Sequence, residues 1–128
     1  ARVYWEDTDA GGVVYHAQYL AFMERARSEW MRVIGFGQDR LRLESNLCFV
    51  VRAMSIDFRA PARLDDLLSV SVRLAQCRGA SLSIAQDVRR GDELLVAAQV
   101  RVAAVSADRF RPQPIPDAMR DALENAPS

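Results

Sequence analysis

The sequence predicts a single α+β domain in which a curved antiparallel sheet wraps one long helix. Three observations carry that expectation. A chain of 128 residues is one domain's worth. A wide apolar stripe at helical spacing occurs early in the chain. From residue 47 onward the pattern changes to runs of period two separated by turn signals. Strands in sequence beside one helix suit a layer of sheet on helix.

Residues 2–5 read as a short strand and 6–15 as a loop carrying Gly and Asp. A helix is predicted over 17–34, where Tyr19, Met23, Ala26, Trp30 and Val33 fall at alternating spacings of four and three. Leu20, Phe22, Met31 and Ile34 widen the stripe, so most of this helix is expected to be buried. Gly35 and Gly37 stop it, and a short polar helix is placed over 38–44. Residues 47–58 form the first long strand, and Pro61 with Asp65 and Asp66 marks a turn. Leu68, Val70, Val72 and Leu74 alternate with polar residues, as do Leu82, Ile84, Gln86 and Val88, with Gly79 as a turn or bulge between them. Arg90-Gly91-Asp92 is a hairpin signal. It leads into the longest strand, 94–105, with Leu94, Val96, Ala98, Val100 and Val102 on one face. Pro112, Pro114 and Pro116 precede a weak C-terminal helix, and the tail beyond Asn125 is expected to fray. The final strands leave a sheet edge, which invites pairing with a second copy.

Composition excludes several functions. Hydrophobic residues make up 50% of the chain, enough for a core without staples. The 17 basic residues balance 17 acids, so the bulk positive charge of a nucleic-acid binder is missing. All 17 cations are Arg, which rules out a Lys Schiff base and leaves planar forks suited to phosphate. Cys48 and Cys77 have no CxxC spacing, as expected of reduced thiols in a cytoplasmic protein. No apolar run approaches the ~20 residues of a membrane span, and no signal peptide is visible. The chain opens at Ala1 without an initiator Met, so a few leading residues are expected to precede it.

The chemistry concentrates in residues 6–16. Glu6, Asp7, Asp9, Gly11, Gly12 and His16, the only His, lie within this loop, directly before the long helix. The first amides of a helix are unpaired donors at the positive end of its dipole. A carbonyl oxygen gaining charge during attack is stabilised there, and a nearby carboxylate can serve as base or nucleophile. This is equipment for acyl transfer without Ser or Cys. A calcium loop starting at Asp7 fails because its fifth and twelfth positions would be Gly11 and Gln18. A phosphoryl-transferring aspartate enzyme needs a Lys and a larger domain. A metal site has one His and no second ligand cluster to draw on, so neither metal nor cofactor is expected. The spacing alone leaves open that Asp7 and Asp9 shape a turn and that His16 caps the helix.

The stretch from Arg2 through Asp7-Thr8-Asp9, Gly12-Val13-Val14-Tyr15-His16 and Glu24-Arg25-Ala26-Arg27 resembles the signature of the 4-hydroxybenzoyl-CoA thioesterase-like family. It is most similar to the acyl-CoA thioesterases encoded beside the Tol–Pal system. The likeness continues through residues 49–52, 60–66 and 78–82, nearly the whole chain. It implies a hotdog fold, dimers joined sheet edge to sheet edge and paired again into homotetramers, and active sites at the dimer interface. It also implies an acyl-CoA substrate and a catalytic carboxylate at Asp9, assisted by His16. An amide at or beside His16 or Tyr15 would polarise the carbonyl. Gly12, Val14 and Tyr15 are expected to line the substrate site, and Gly11 and Gly12 to permit positive φ or close approach. Asp7 is expected to fix the loop. Arg59, Arg63 and Arg78, near strand ends or turns, are candidates for the phosphates of coenzyme A. One departure stands at Trp5, where that branch commonly carries Tyr. Two other functions compete with thioester hydrolysis. One is a hotdog dehydratase acting on carrier-protein thioesters, whose His motif and Pro-rich turns are not found. The other is a non-catalytic acyl- or protein-binding module.

Overall fold

The computed structural model describes residues 1–14 and 16–125, with the backbone alone at residues 38 and 39. The tail beyond Asn125 therefore lies outside the described residues. Three helices, α1 (His16–Val33), α2 (Gln38–Ser45) and α3 (Asp117–Glu124), accompany five strands, β1 (Leu47–Phe58), β2 (Ser69–Val70), β3 (Arg73–Arg78), β4 (Ser81–Arg90) and β5 (Glu93–Ser106). All strand pairs are antiparallel, in the order β1-β5-β4-β2, with β3 also on β4.

β4 and β5 form the hairpin expected at residues 90–92: Arg90 pairs with Glu93, and Gly91 takes φ +60 in the tight turn. A second tight turn at Gly79 and Ala80 joins β3 to β4, where Arg78 pairs with Ser81. β5 lies between β1 and β4, and Leu95, Val96, Val100 and Ala104 on it are almost completely buried. β1 pairs with β5 along its whole length, with a bulge between Val51 and Ala53, and among the described residues its other edge is unpaired.

Two clusters make up the core. Tyr19, Phe22 and Met23 on the first half of α1 pack against Leu68, Val88, Val96 and Ala98. Met31 from the second half packs with Leu82, Val100, Val102 and, from α3, Met119 and Leu123.

Three expectations change. The strand predicted at residues 2–5 reduces to a single bridge between Arg2 and Leu67, because Trp5–Asp7 turns into one 3-10 turn. The Asp7 carboxylate drives that turn by accepting the Tyr4 N–H at 3.0 Å. The strand predicted around residues 68–74 is interrupted. Inward alternation persists, with Leu68 and Val72 buried, but Ser71 bonds Asp87 through both backbone and hydroxyl, and ladder pairing resumes at Arg73. α1 is buried along a stripe, not over most of its surface: Leu20 is 42% and Val33 70% exposed. Its buried face drifts from Tyr19, Phe22 and Met23 toward Trp30, Met31 and Ile34 as it crosses the twisted sheet. Val33 has by then rotated outward.

Candidate active site

The loop before α1 is a miniature hairpin. Thr8 bridges Val14, the Asp9 N–H donates to the Val13 carbonyl at 2.9 Å, and the Gly12 N–H donates to the Asp9 carbonyl at 3.0 Å. At the tip the Gly11 N–H donates to Asp9 Oδ1 at 2.8 Å, closing an Asx turn. The two glycines do different jobs. Gly12 adopts φ +77, a conformation L side chains rarely take, whereas a Cβ on Gly11 would stand 3.3 Å from Asp9 Oδ1. Among the described residues no hydrogen bond reaches the other Asp9 oxygen, and the side chain is exposed.

A second segment, residues 60–66, fixes this hairpin against the body of the protein. The Val14 N–H donates to the Ala62 carbonyl at 2.8 Å, the Leu64 N–H to the Gly12 carbonyl at 3.2 Å, and Val13 bridges Arg63. Ala62 in turn donates its N–H to the buried Tyr19 hydroxyl at 2.8 Å. Burial pushes the Tyr19 phenol above its usual pKa, against the lowering effect of that bond, so it stays a neutral acceptor. Asp66 binds the Arg63 N–H at 2.8 Å and the Arg90 guanidinium at 2.7 Å. Burial raises its pKa, but these bonds and charges outweigh that and hold the carboxyl below its ordinary range.

The result is a cavity of about 380 Å3 lined by Asp9, Val13, Val14, His16, Tyr19, Phe58, Arg59, Ala60 and Pro61. His16 is the first residue of α1, and its ring stacks on Phe58 with centroids 4.4 Å apart and planes at 25°. Asp9, His16 and the start of α1 therefore border one space. The N-terminal end of a helix is the positive end of its dipole, so a carboxylate and that helix end border the same cavity.

The structure brings Asp9, Val14, His16 and Arg59 together at this cavity, and Gly12 into the turn beside it. Tyr15 lies outside the described residues. Arg59 pairs with Asp57 at 2.9 Å, an exposed pair that leaves most of its fork open. Arg63 stands next to the hairpin through its bridge to Val13. Arg78 ends β3 at the Gly79 turn and is not among the residues lining the cavity. Asp7 is 5% exposed and bonded to the Tyr4 N–H, as a loop-fixing residue would be. Trp5 is 75% exposed and its ring is not part of the cavity wall. Tyr19, Phe58 and Pro61 were not anticipated in the wall. Tyr19, three residues after His16 on the same helix face, carried a usable signal. Phe58 and Pro61 carried none, because only the long-range docking of residues 58–64 against the hairpin puts them there.

A carboxylate beside a helix start, on a helix packed against a five-stranded antiparallel sheet, defines a class, and comparison with known proteins agrees. The model of the thioesterase superfamily matches residues 11–97. The chain belongs to this superfamily and has its hotdog fold. An acyl-CoA thioesterase, YbgC, of Haemophilus influenzae is 44% identical over 124 residues, covering 97% of this chain and 91% of its own. An acyl-CoA thioester hydrolase, YbgC, of Escherichia coli O6:H1 is 47% identical over 116 residues, covering 90% and 86%. A probable thioesterase from Bartonella henselae superposes with a TM-score of 0.86 at 42% identity, covering 91% of this chain and 95% of its own. The branch suggested by the loop motif is thus the one these relatives represent. Among the described residues no helix is long and apolar enough to cross a membrane.

Proposed function

We propose that this chain hydrolyses acyl-CoA thioesters, with Asp9 as the catalytic carboxylate. The observation that carries the reading is the shared cavity of Asp9, His16 and the start of α1. The thioester carbonyl oxygen points at the first-turn amides of α1, which stabilise its charge as the carbonyl carbon is attacked. Asp9 either takes a proton from the attacking water or attacks the carbon itself and forms a mixed anhydride that water then opens. In both routes the carbon–sulfur bond breaks and the thiolate of coenzyme A leaves and is protonated. His16, held by Phe58, orients the acyl group; Val14 completes the wall, and Tyr15 is a further candidate for contact with the substrate. Arg59 and Arg63 receive phosphates, and Arg78 is the third candidate.

The reading extends to assembly and place. Two copies pair through the free edge of β1, on which Val51 and Phe58 are 49% and 41% exposed, and two such dimers form a tetramer in the cytoplasm. The unpaired thiols of Cys48 and Cys77 suit a reducing compartment. Release of thiol from a panel of acyl-CoA esters tests the activity, and light scattering tests the assembly. Hydrolysis of none of them would overturn the reading, and so would full turnover by Asp9→Asn. Single-turnover hydrolysis in 18O-labelled water separates the two routes, because only a nucleophilic Asp9 takes up label.

A further inference from the structure

A second cavity, about 300 Å3, lies between the C-terminal half of α1 and the sheet. Its walls are largely apolar, with Trp30, Met31, Phe49, Leu82 and Val102. One charged group intrudes. Arg27 lines the cavity half-buried, and its Nη1 donates at 2.7 Å to Oε1 of Gln86, a side chain only 1% exposed. Gln86 is anchored at its other end, where Nε2 donates to the Met23 carbonyl at 3.1 Å. The neutral amide therefore fixes the guanidinium in place without neutralising it.

Among the described residues no carboxylate lies within ion-pair distance of Arg27. Glu24, exposed one turn earlier on the same helix, is the acid that lines this cavity. Burial lowers the pKa of Arg27, with Glu24 opposing. Trp30, in the same wall, keeps Nε1 buried without an acceptor among the described residues. A largely apolar cavity holding a cation with no acid in ion-pair contact among the described residues is matched by an amphipathic anion. A carboxylate supplies the missing charge, and a short methylene chain fills the walls.

We propose that this cavity selects acyl groups ending in a carboxylate, that is, the monothioesters of dicarboxylic acids, with Arg27 receiving the distal carboxylate. The inference rests on the hydrolase reading above and on pairing through β1. Along one helix, Arg27 lies eleven residues past His16 (27 − 16), about 16 Å. Antiparallel overlap of two β1 edges instead brings the Phe49 end of one copy beside Phe58 of the other. Selection by Arg27 requires that in this dimer the cavity of one copy continue the Asp9 cavity of its partner.

The test compares kcat/KM for esters matched in chain length, adipoyl-CoA against hexanoyl-CoA, by thiol release. The wild-type protein favours adipoyl-CoA by about tenfold or more, the low end for a charge-assisted hydrogen bond. Arg27→Gln keeps an N–H for Gln86 and removes the charge, so the ratio falls to about one, mainly through the KM of adipoyl-CoA. Reading a ratio cancels any general loss of activity, and Arg27→Lys restores part of the preference. A wild-type ratio of one or less, or a ratio unchanged in Arg27→Gln, overturns the proposal. If neither ester is hydrolysed, the hydrolase reading is decided by the wider panel of acyl-CoA esters, and calorimetric titration with the same two esters decides the cavity. Tighter binding of adipoyl-CoA that Arg27→Gln abolishes supports it, and equal binding overturns it.

Discussion

Replacing Asp9 separates its chemistry from its turn-forming role, because the two depend on different atoms. Asp9 Oδ1 accepts the Gly11 N–H at 2.8 Å, while the second oxygen has no hydrogen bond among the described residues. Asparagine keeps the carbonyl acceptor and the turn, but it is neither a base nor a nucleophile. Alanine removes both functions. A net hydrogen bond contributes about 0.5–1.5 kcal/mol, and in a domain of this size about 3–5 °C of Tm corresponds to each kcal/mol. Asp9→Asn should therefore melt within about 2 °C of wild type, and Asp9→Ala about 2–7 °C lower. Both should lose about 10²–10⁴ in kcat, the span of general acid–base catalysis. Differential scanning fluorimetry and thiol release on the same preparations give the two numbers. Asp9→Asn that keeps more than about a tenth of wild-type kcat would refute the reasoning. So would an Asp9→Asn loss that tracks its Tm, since that would make Asp9 a turn former alone.

Further outcomes follow from the surrounding contacts. Tyr19→Phe strips the acceptor from the Ala62 N–H, and urea unfolding should show a loss of about 1–3 kcal/mol. Asp66 has a folded pKa below its unfolded value. Its contribution is therefore complete above the ordinary carboxylate value of about 3.9 and disappears as pH falls through the lower folded pKa. Asp66→Asn should be less stable than wild type at neutral pH, and the gap should close as acid pH protonates the folded-state carboxyl; a constant gap across denaturation curves from neutral to strongly acid pH would contradict this. Arg59→Ala should raise KM for an acyl-CoA several-fold with little change in kcat if its open fork meets a phosphate, and steady-state kinetics at two ionic strengths would expose an effect of bulk charge alone.

The long elements were legible because each had a local signal. α1 followed from its apolar spacing and the β4–β5 hairpin from Arg90-Gly91-Asp92, but the edge expected on the final strands falls on β1 instead, because β5 is enclosed between β1 and β4. What failed was local structure set by a single long-range or side-chain bond. The Asp7 carboxylate curled residues predicted as strand into a 3-10 turn, and Ser71 broke a strand whose alternation was otherwise sound. The candidate site divides in the same way. Asp9 and His16 are close in sequence and were readable together. Phe58 and Pro61 reach the cavity only because residues 60–64 dock onto the hairpin through Val13, Val14 and Gly12. No periodicity encodes that docking. The Arg27–Gln86 bond, between residues 59 apart in the chain, was equally invisible.

The open edge of β1 also has a genetic consequence. If each reaction centre takes Asp9 from one copy and its acyl cavity from the other, a chain carries two halves of two different sites. Two inactive variants can then rescue each other. Asp9→Asn and Ser28→Trp, which blocks the cavity next to α1, would each be inactive as homodimers. Random mixing makes about half the dimers hybrid, and each hybrid has one intact site and one doubly damaged site, so about a quarter of the wild-type sites return. In a cell carrying both alleles, neither mutation would behave as a simple loss of function.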